Sequence, residues 1–256
     1  MTKIKFGTDG WRAIIAKEYT TDNVARVSIA VADWLTENNE SPSVVIGHDC
    51  RFSGELFAET AAIVLASKGV LVKLAKGFVS TPMVSLGVVK EHANLGVVIT
   101  ASHNPSQYNG IKPAGKDGVE ISREDELVIE DIYFKKTWLS HPEKWGTTEE
   151  ETRSIETYLN GIKSHVNSKL IESKSFTVVL DLGNGAQAVT APDFCKKVNC
   201  EIILVNETID GTFPGRGSEP TPQNLSVLSK TVIENQADFG IAFDGDGDRS
   251  IFCDNL

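Results

Sequence analysis

Short apolar runs bounded by turn residues recur along this chain, and stretches of helical spacing lie between them. Residues 43–50 (SVVIGHDC) read as a buried strand. Residues 53–69 (SGELFAETAAIVLASKG) read as an amphipathic helix, with Ser53 as its N-cap and Gly69 as its stop. A strand over 70–75 (VLVKLA) follows, then a helix opened by Thr81-Pro82, then the strand Val97-Val98-Ile99. Residues 137–154 (TWLSHPEKWGTTEEETRS) are polar and charged and break this rhythm, which divides the chain into domains 1–145 and 146–256. After a helix over IETYLNGIKSHV the plan starts again. FTVVLDLGNG is a strand running into a glycine-rich loop, AQAVTAPDFCKKVN is helical in its second half, and CEIILVN is a strand. TPQNLSVLSKTVIENQ is a helix opened by Thr-Pro, and ADFGIAFDGDGDR closes the unit. Such alternation predicts an α/β fold.

The two closing strands read alike. Setting Gly96 of ANLGVVITAS on Gly240 of ADFGIAFDGD puts Ser102 opposite Asp246, which suggests an internal duplication carrying different chemistry at equivalent strand ends. Pro105 can neither extend a strand nor donate a backbone hydrogen bond, and it biases Asn104 away from helical geometry. Ser102 and His103 are therefore expected where a strand stops and a constrained loop begins, the edge at which α/β proteins bind ligands.

FDGDGDR (243–249) places Asp244, Asp246 and Asp248 at alternate positions with glycines between them. Three carboxylates gathered at a strand end repel one another without a cation, and an all-oxygen set favours Mg²⁺. The alternative is a plain solvated acidic turn, and the same repulsion weighs against it. An EF-hand fails because Arg249 and Asn255 stand where it needs Gly and Glu. An aspartyl-phosphate phosphatase, with Asp244 as nucleophile and Asp246 as acid, would want Thr or Val where Asp248 stands, and further acidic ligands downstream.

Composition narrows the classes. With 41% apolar and 23% charged residues the chain is globular, and its formal charge of −10 argues against non-specific nucleic-acid binding. Cys50, Cys195, Cys200 and Cys253 form no C-x-x-C pair, so they spell neither a zinc site nor a disulfide scaffold. The start has no apolar signal region and no run approaches membrane-spanning length, so a cytoplasmic protein without membrane partners is expected.

Ser102 alone would be an ordinary turn serine, and no Gly-x-Ser-x-Gly elbow is present. Its company changes the reading. Lys112 lies beyond an expected Asn109-Gly110 turn, and Arg12 ends the glycine-rich FGTDGWR. A Ser, a Lys, an Arg and an acidic triad are the groups phosphoryl transfer needs, since charge neutralisation does most of its work.

FGTDGWR, TASHNP followed by NGIK, and DGDGDR, in this order across the whole chain, resemble the α-D-phosphohexomutases, which include phosphoglucomutase, phosphomannomutase and phosphoglucosamine mutase. The resemblance implies two tandem α/β/α sandwich domains with mixed, mostly parallel sheets, the first two of that family's four. It implies that Ser102 carries the phosphoryl group, that Asp244, Asp246 and Asp248 hold Mg²⁺ with a phosphoserine oxygen, and that Arg249 holds phosphate. Lys112 and Arg12 fall where a general acid/base acts, and His103 is the histidine beside the serine. The glycines and prolines of GTFPGRGSEPTPQNL (211–225) read as structural. An amine beside another cation is held below its usual pKa, which suits Lys112 to take the proton of the attacking hydroxyl.

The implied activity is phosphosugar mutase chemistry, intramolecular transfer between the two ends of a hexose phosphate through a hexose 1,6-bisphosphate. Family members also carry a sugar-reading loop in a third domain and a phosphate-binding loop in a fourth, and neither occurs in these 256 residues. The sequence is therefore read as the N-terminal half of such an enzyme, very weak or inactive alone, with a homo-oligomer or a complementing C-terminal half as partner. The alternative is a non-catalytic fragment that binds metal or a partner. The sugar itself is not legible.

Overall fold

The computed structural model describes residues 4–7, 10–135 and 145–254. Thr8 and Asp9 of FGTDGWR, residues 137–144 of the polar segment, and the last two residues fall outside them. Ten strands and eight α-helices are described. They are β1 (Trp11–Ile14), α1 (Thr21–Asn38), β2 (Ser43–His48), α2 (Gly54–Ser67), β3 (Leu71–Phe78), α3 (Thr81–Lys90), β4 (Leu95–Ile99), β5 (Tyr108–Gly115) and α4 (Arg123–Lys135). After them come β6 (Thr148–Glu151), α5 (Ser154–His165), α6 (Ser168–Glu172), β7 (Thr177–Asp181), α7 (Ala191–Lys197), β8 (Glu201–Val205), α8 (Ser226–Glu234), β9 (Phe239–Phe243) and β10 (Ser250–Asp254).

Two mixed sheets result, β1-β5-β4-β2-β3-β6 and β10-β9-β7-β8, each parallel in its middle with antiparallel strands at one edge. The central strands β2 and β4 are almost wholly buried. Their alternate side chains feed two cores, as period-two geometry requires. Val44, Ile46, Val97 and Ile99 pack with α1, α2 and α4, while Val45 and Val98 pack with α3 and Tyr158 of α5. The second sheet divides likewise: Val179 and Ala242 meet α8, and Val178, Leu180 and Leu204 meet the α7 side. Both domains are thus α/β/α sandwiches.

Several local expectations change. The polar segment supplies β6, which pairs in parallel with β3, so the first sheet's last strand lies beyond residue 145. Ser53 precedes α2 in a left-handed conformation and makes no side-chain cap. Thr221-Pro222 opens a short 3-10 helix, and α8 begins at Ser226. Asn109-Gly110 is no turn but lies inside β5, against β1. A side chain at Gly110 would collide with the carbonyls of Thr100 and Trp11, so the glycine serves close strand approach. The end of the described chain forms the β9–β10 hairpin around the acidic loop.

Candidate active site

Strand β4 ends at Ile99 and delivers Thr100, Ala101 and Ser102 to the edge of the first sheet. Ser102 is fully buried and has φ 49°, a left-handed backbone rarely adopted outside glycine. Its N–H donates to Thr100 Oγ1 (2.8 Å), and its Oγ donates to Asp244 Oδ2 (3.0 Å). The serine of the first domain therefore touches the acidic loop of the second. His103 Nδ1 lies 3.4 Å from the same Oγ. Burial, then the charges of Arg249 and Arg12, hold the His103 imidazole below its ordinary pKa.

The acidic loop follows β9. Ligand-type oxygens of Asp244, Asp246 and Asp248 all lie within 4.8 Å of one another. Asp244 and Asp246 are buried. Burial, and then repulsion from Asp246 and Asp248, pushes the Asp244 carboxyl up to about 8. Burial also pushes Asp248 upward, but the hydrogen bond and charge of Lys112 outweigh it and leave that carboxyl below the usual range. Asp246 accepts from Thr81 Oγ1 at 2.6 Å through Oδ2, and its carbonyl accepts from the Thr81 N–H. Asp246 Oδ1 is buried with no hydrogen-bond partner. A spare buried carboxylate oxygen within a crowded all-oxygen cluster suits a hard divalent cation.

Lys112 reaches the cluster from β5, with Nζ 2.6 Å from Asp248 Oδ2 and 4.0 Å from Asp246 Oδ2. Arg12, placed by β1, donates to Asn104 Oδ1 at 2.8 Å. The Arg249 N–H donates to Asp244 Oδ1, and its side chain lies at the surface. Ser102, His103, Lys112, Arg12, Arg249 and the three aspartates thus gather at one junction between the sheets. A groove of about 610 Å³ opens beside it, with Thr81, Lys112 and Asp248 in its wall.

Four residues around the site had no sequence signal. Thr81 was read only as a helix opener. Asp49 and Arg51 stand at the end of β2, under the Ser102 loop. Ser218 Oγ donates to the carbonyls of His103 and Asn104 from the loop read as merely structural.

Comparison with known proteins gives the family of this fold. The family description "Phosphoglucomutase/phosphomannomutase, alpha/beta/alpha domain I" matches residues 3–140, and its domain II counterpart matches 156–256. The chain belongs to this phosphoglucomutase/phosphomannomutase family. It is 38% identical over 252 residues to the phosphoglucosamine/phosphogalactosamine mutase of Sulfurisphaera tokodaii, covering 98% of this chain and 54% of that one. It is 36% identical over 252 residues to the phosphoglucomutase/phosphomannomutase of Thermococcus kodakarensis, covering 97% and 55%. The crystal structure of a Thermus thermophilus protein assigned as a phosphomannomutase superposes with a TM-score of 0.89 at 32% identity, covering 98% of this chain and 57% of that one. The chain therefore spans about half the length of the curated relatives it matches. Among the described residues no helix is long and apolar enough to cross a membrane.

Proposed function

We propose that this chain carries the phosphoryl-transfer site of a hexose-phosphate mutase, with Ser102 as the residue that accepts and returns the phosphoryl group. The observation that carries this reading is the 3.0 Å bond from Ser102 Oγ to Asp244, which joins the serine of one domain to the acidic cluster of the other. Asp244, Asp246 and Asp248, together with the serine oxygen, would hold Mg²⁺; when bound, the ion offsets charge on the transferring group.

The loading step runs on the chain's own residues. Ser102 Oγ attacks a phosphorus of a hexose 1,6-bisphosphate. The Oγ–P bond forms as the sugar O–P bond breaks. As Oγ gives up its bond to Asp244, the serine proton passes to His103 Nδ1, 3.4 Å away, and Lys112, paired with Asp248, gives a proton to the departing sugar oxygen. The reverse step, on the other end of the sugar, returns both protons. Arg12 and Arg249 bring positive charge to the His103 side, where phosphate oxygens would lie. The relatives' names differ in the sugar, so the substrate class proposed is hexose phosphate without a choice of sugar.

Incubation with glucose 1,6-bisphosphate and Mg²⁺ should add one phosphoryl group to the tryptic peptide that contains Ser102, read by mass spectrometry. Ser102→Ala should abolish it. Labelling that persists in Ser102→Ala would transfer the acceptor role to another residue and end this reading.

A further inference from the structure

The guanidinium of Arg51 is wholly buried, and all five of its N–H groups are used. Nε donates to Asp49 Oδ2 (3.2 Å), Nη1 to the carbonyls of Pro105 (2.9 Å) and Tyr108 (3.0 Å), and Nη2 to those of Ser102 and Asn104 (2.6 Å each). Four carbonyls of one loop thus converge on one planar fork, which a lysine ammonium cannot reproduce. Asp49 completes the arrangement. Its Oδ2 also accepts from Thr100 Oγ1 at 2.6 Å, and that hydroxyl oxygen accepts the Ser102 N–H. The N–H of Ser102 is therefore held through Thr100 by Asp49, and its C=O is held by Arg51. Between these two anchors the residue sits at φ 49°, a left-handed backbone that L side chains rarely adopt. Surroundings that over-determine such a backbone are what keep it in place. The Arg51 guanidinium also lies 5.0 Å over the ring of Phe213, from the second domain.

We propose that Arg51, aimed by Asp49, is a positioning residue for phosphoryl transfer: it fixes the backbone on both sides of Ser102 so that Oγ meets the acidic cluster. It touches no reacting atom. The inference rests on the reading of Ser102 as phosphoryl acceptor, and it concerns only how that serine is held. Misplacement of a reacting group by about 1 Å can cost about 100-fold in rate.

The test uses the full chain and Arg51→Lys. The rate of Ser102 phosphorylation at saturating glucose 1,6-bisphosphate should fall about 100-fold, while the half-saturating concentration and the Mg²⁺ affinity by calorimetry change less than threefold. A purely structural role would instead lower the melting temperature and the labelled fraction without slowing the folded molecules. Hydrogen exchange over residues 100–108 should rise in Arg51→Lys, with protection of β2 and β4 kept. A folded Arg51→Lys that is labelled within threefold of the wild-type rate overturns the proposal. Where Arg51→Lys does not fold, Asp49→Asn carries the test: slowing of at least tenfold supports the proposal, and an unchanged rate overturns it. If wild-type Ser102 is never labelled, the acceptor reading fails separately. The exchange measurement then decides, because unchanged protection of the loop in the variant overturns the positioning role too.

Discussion

The two domains use one frame for two chemistries. Strand β4 and helix α3 map onto β9 and α8 by a constant offset, without a gap. Val84 and Val88 of α3 lie over Gly96, and Leu228 and Val232 of α8 lie over Gly240. Each strand is flanked by a parallel neighbour on one side and an antiparallel one on the other. What differs is the loop each strand delivers, a left-handed serine in one domain and three carboxylates in the other. The supporting pairs differ as well. Both domains bury an Arg–Asp pair beside the delivered loop, Arg51–Asp49 and Arg216–Asp181. Val45 pairs with Gly96 and Val179 with Gly240, so Asp181 corresponds to Gly47 and Asp49 to Gly183. Asp181 is the last residue of β7, and Asp49 lies just past the end of β2, two positions beyond the equivalent place. Arg51 turns four donors to carbonyls of the serine loop, whereas Arg216 reaches the acidic loop through its 2.6 Å bond to the Phe243 carbonyl and turns its other donors to Asp181 and the Gly217 carbonyl. The acidic loop is held from several sides instead: the carbonyls of Phe243, Gly245, Asp246 and Gly247 accept from Arg216, Ala186, Thr81 and Gln187 respectively.

The largest expected effect comes from removing the second domain's pair. Arg216→Met leaves Asp181 buried without its cation and should cost about 3–5 kcal/mol in urea unfolding. A loss below about 1 kcal/mol would mean that this pair is no counterpart of Arg51–Asp49. The next test addresses the shared frame. Gly96→Ala and Gly240→Ala each drive a methyl group into helix side chains, at 2.7 Å from Val88 Cγ2 and from Leu228 Cδ1 respectively. Each should cost about 1–3 kcal/mol, and similar losses are expected of both. If one is neutral and the other severe, the strand–helix packing is not equivalent. The smallest effect is a pH dependence confined to the acidic loop. Asp244 is pushed up to about 8 in the folded chain, so between its unfolded value near 4 and about 8 the folded state holds the extra proton. Stability of the metal-free chain should therefore fall as pH rises through that window and level off above it. The slope should read as a melting temperature that falls by a few degrees across the window. Asp244→Asn should flatten it, and an unaltered slope in that variant would assign the dependence to another group.

Much of this site was legible because its chemistry is contiguous. Asp244, Asp246 and Asp248 announce themselves by spacing, and Ser102 by a strand running into Asn104-Pro105. The strand and helix order was legible from periodicity for the same reason. Residues whose partners are distant in the chain were not. Thr81 acts on Asp246, 165 positions away, and Ser218 acts on His103, 115 positions away. Local chemistry misled at Asn109-Gly110 and at Thr221-Pro222, as it did at the Ser53 cap. Asn109-Gly110 has the composition of a turn, yet the need for two backbones to approach each other placed it within β5. Thr221-Pro222 opens a helix, but a 3-10 helix of three residues rather than α8.

The contact between Thr81 and Asp246 has a mechanical consequence. Thr81 is the first residue of α3, so the acidic loop is tied to the tip of a ten-residue rod about 15 Å long. Tilting that rod by about 5° would swing its tip by about 1.3 Å, beyond the roughly 0.5 Å tolerance of a working site. The rod is braced by Tyr158 of α5, from the chain that follows the first domain. Ser102 is wholly covered in this arrangement. A shift of α3 against α5 would therefore move the Thr81 anchor, and Asp246 with it.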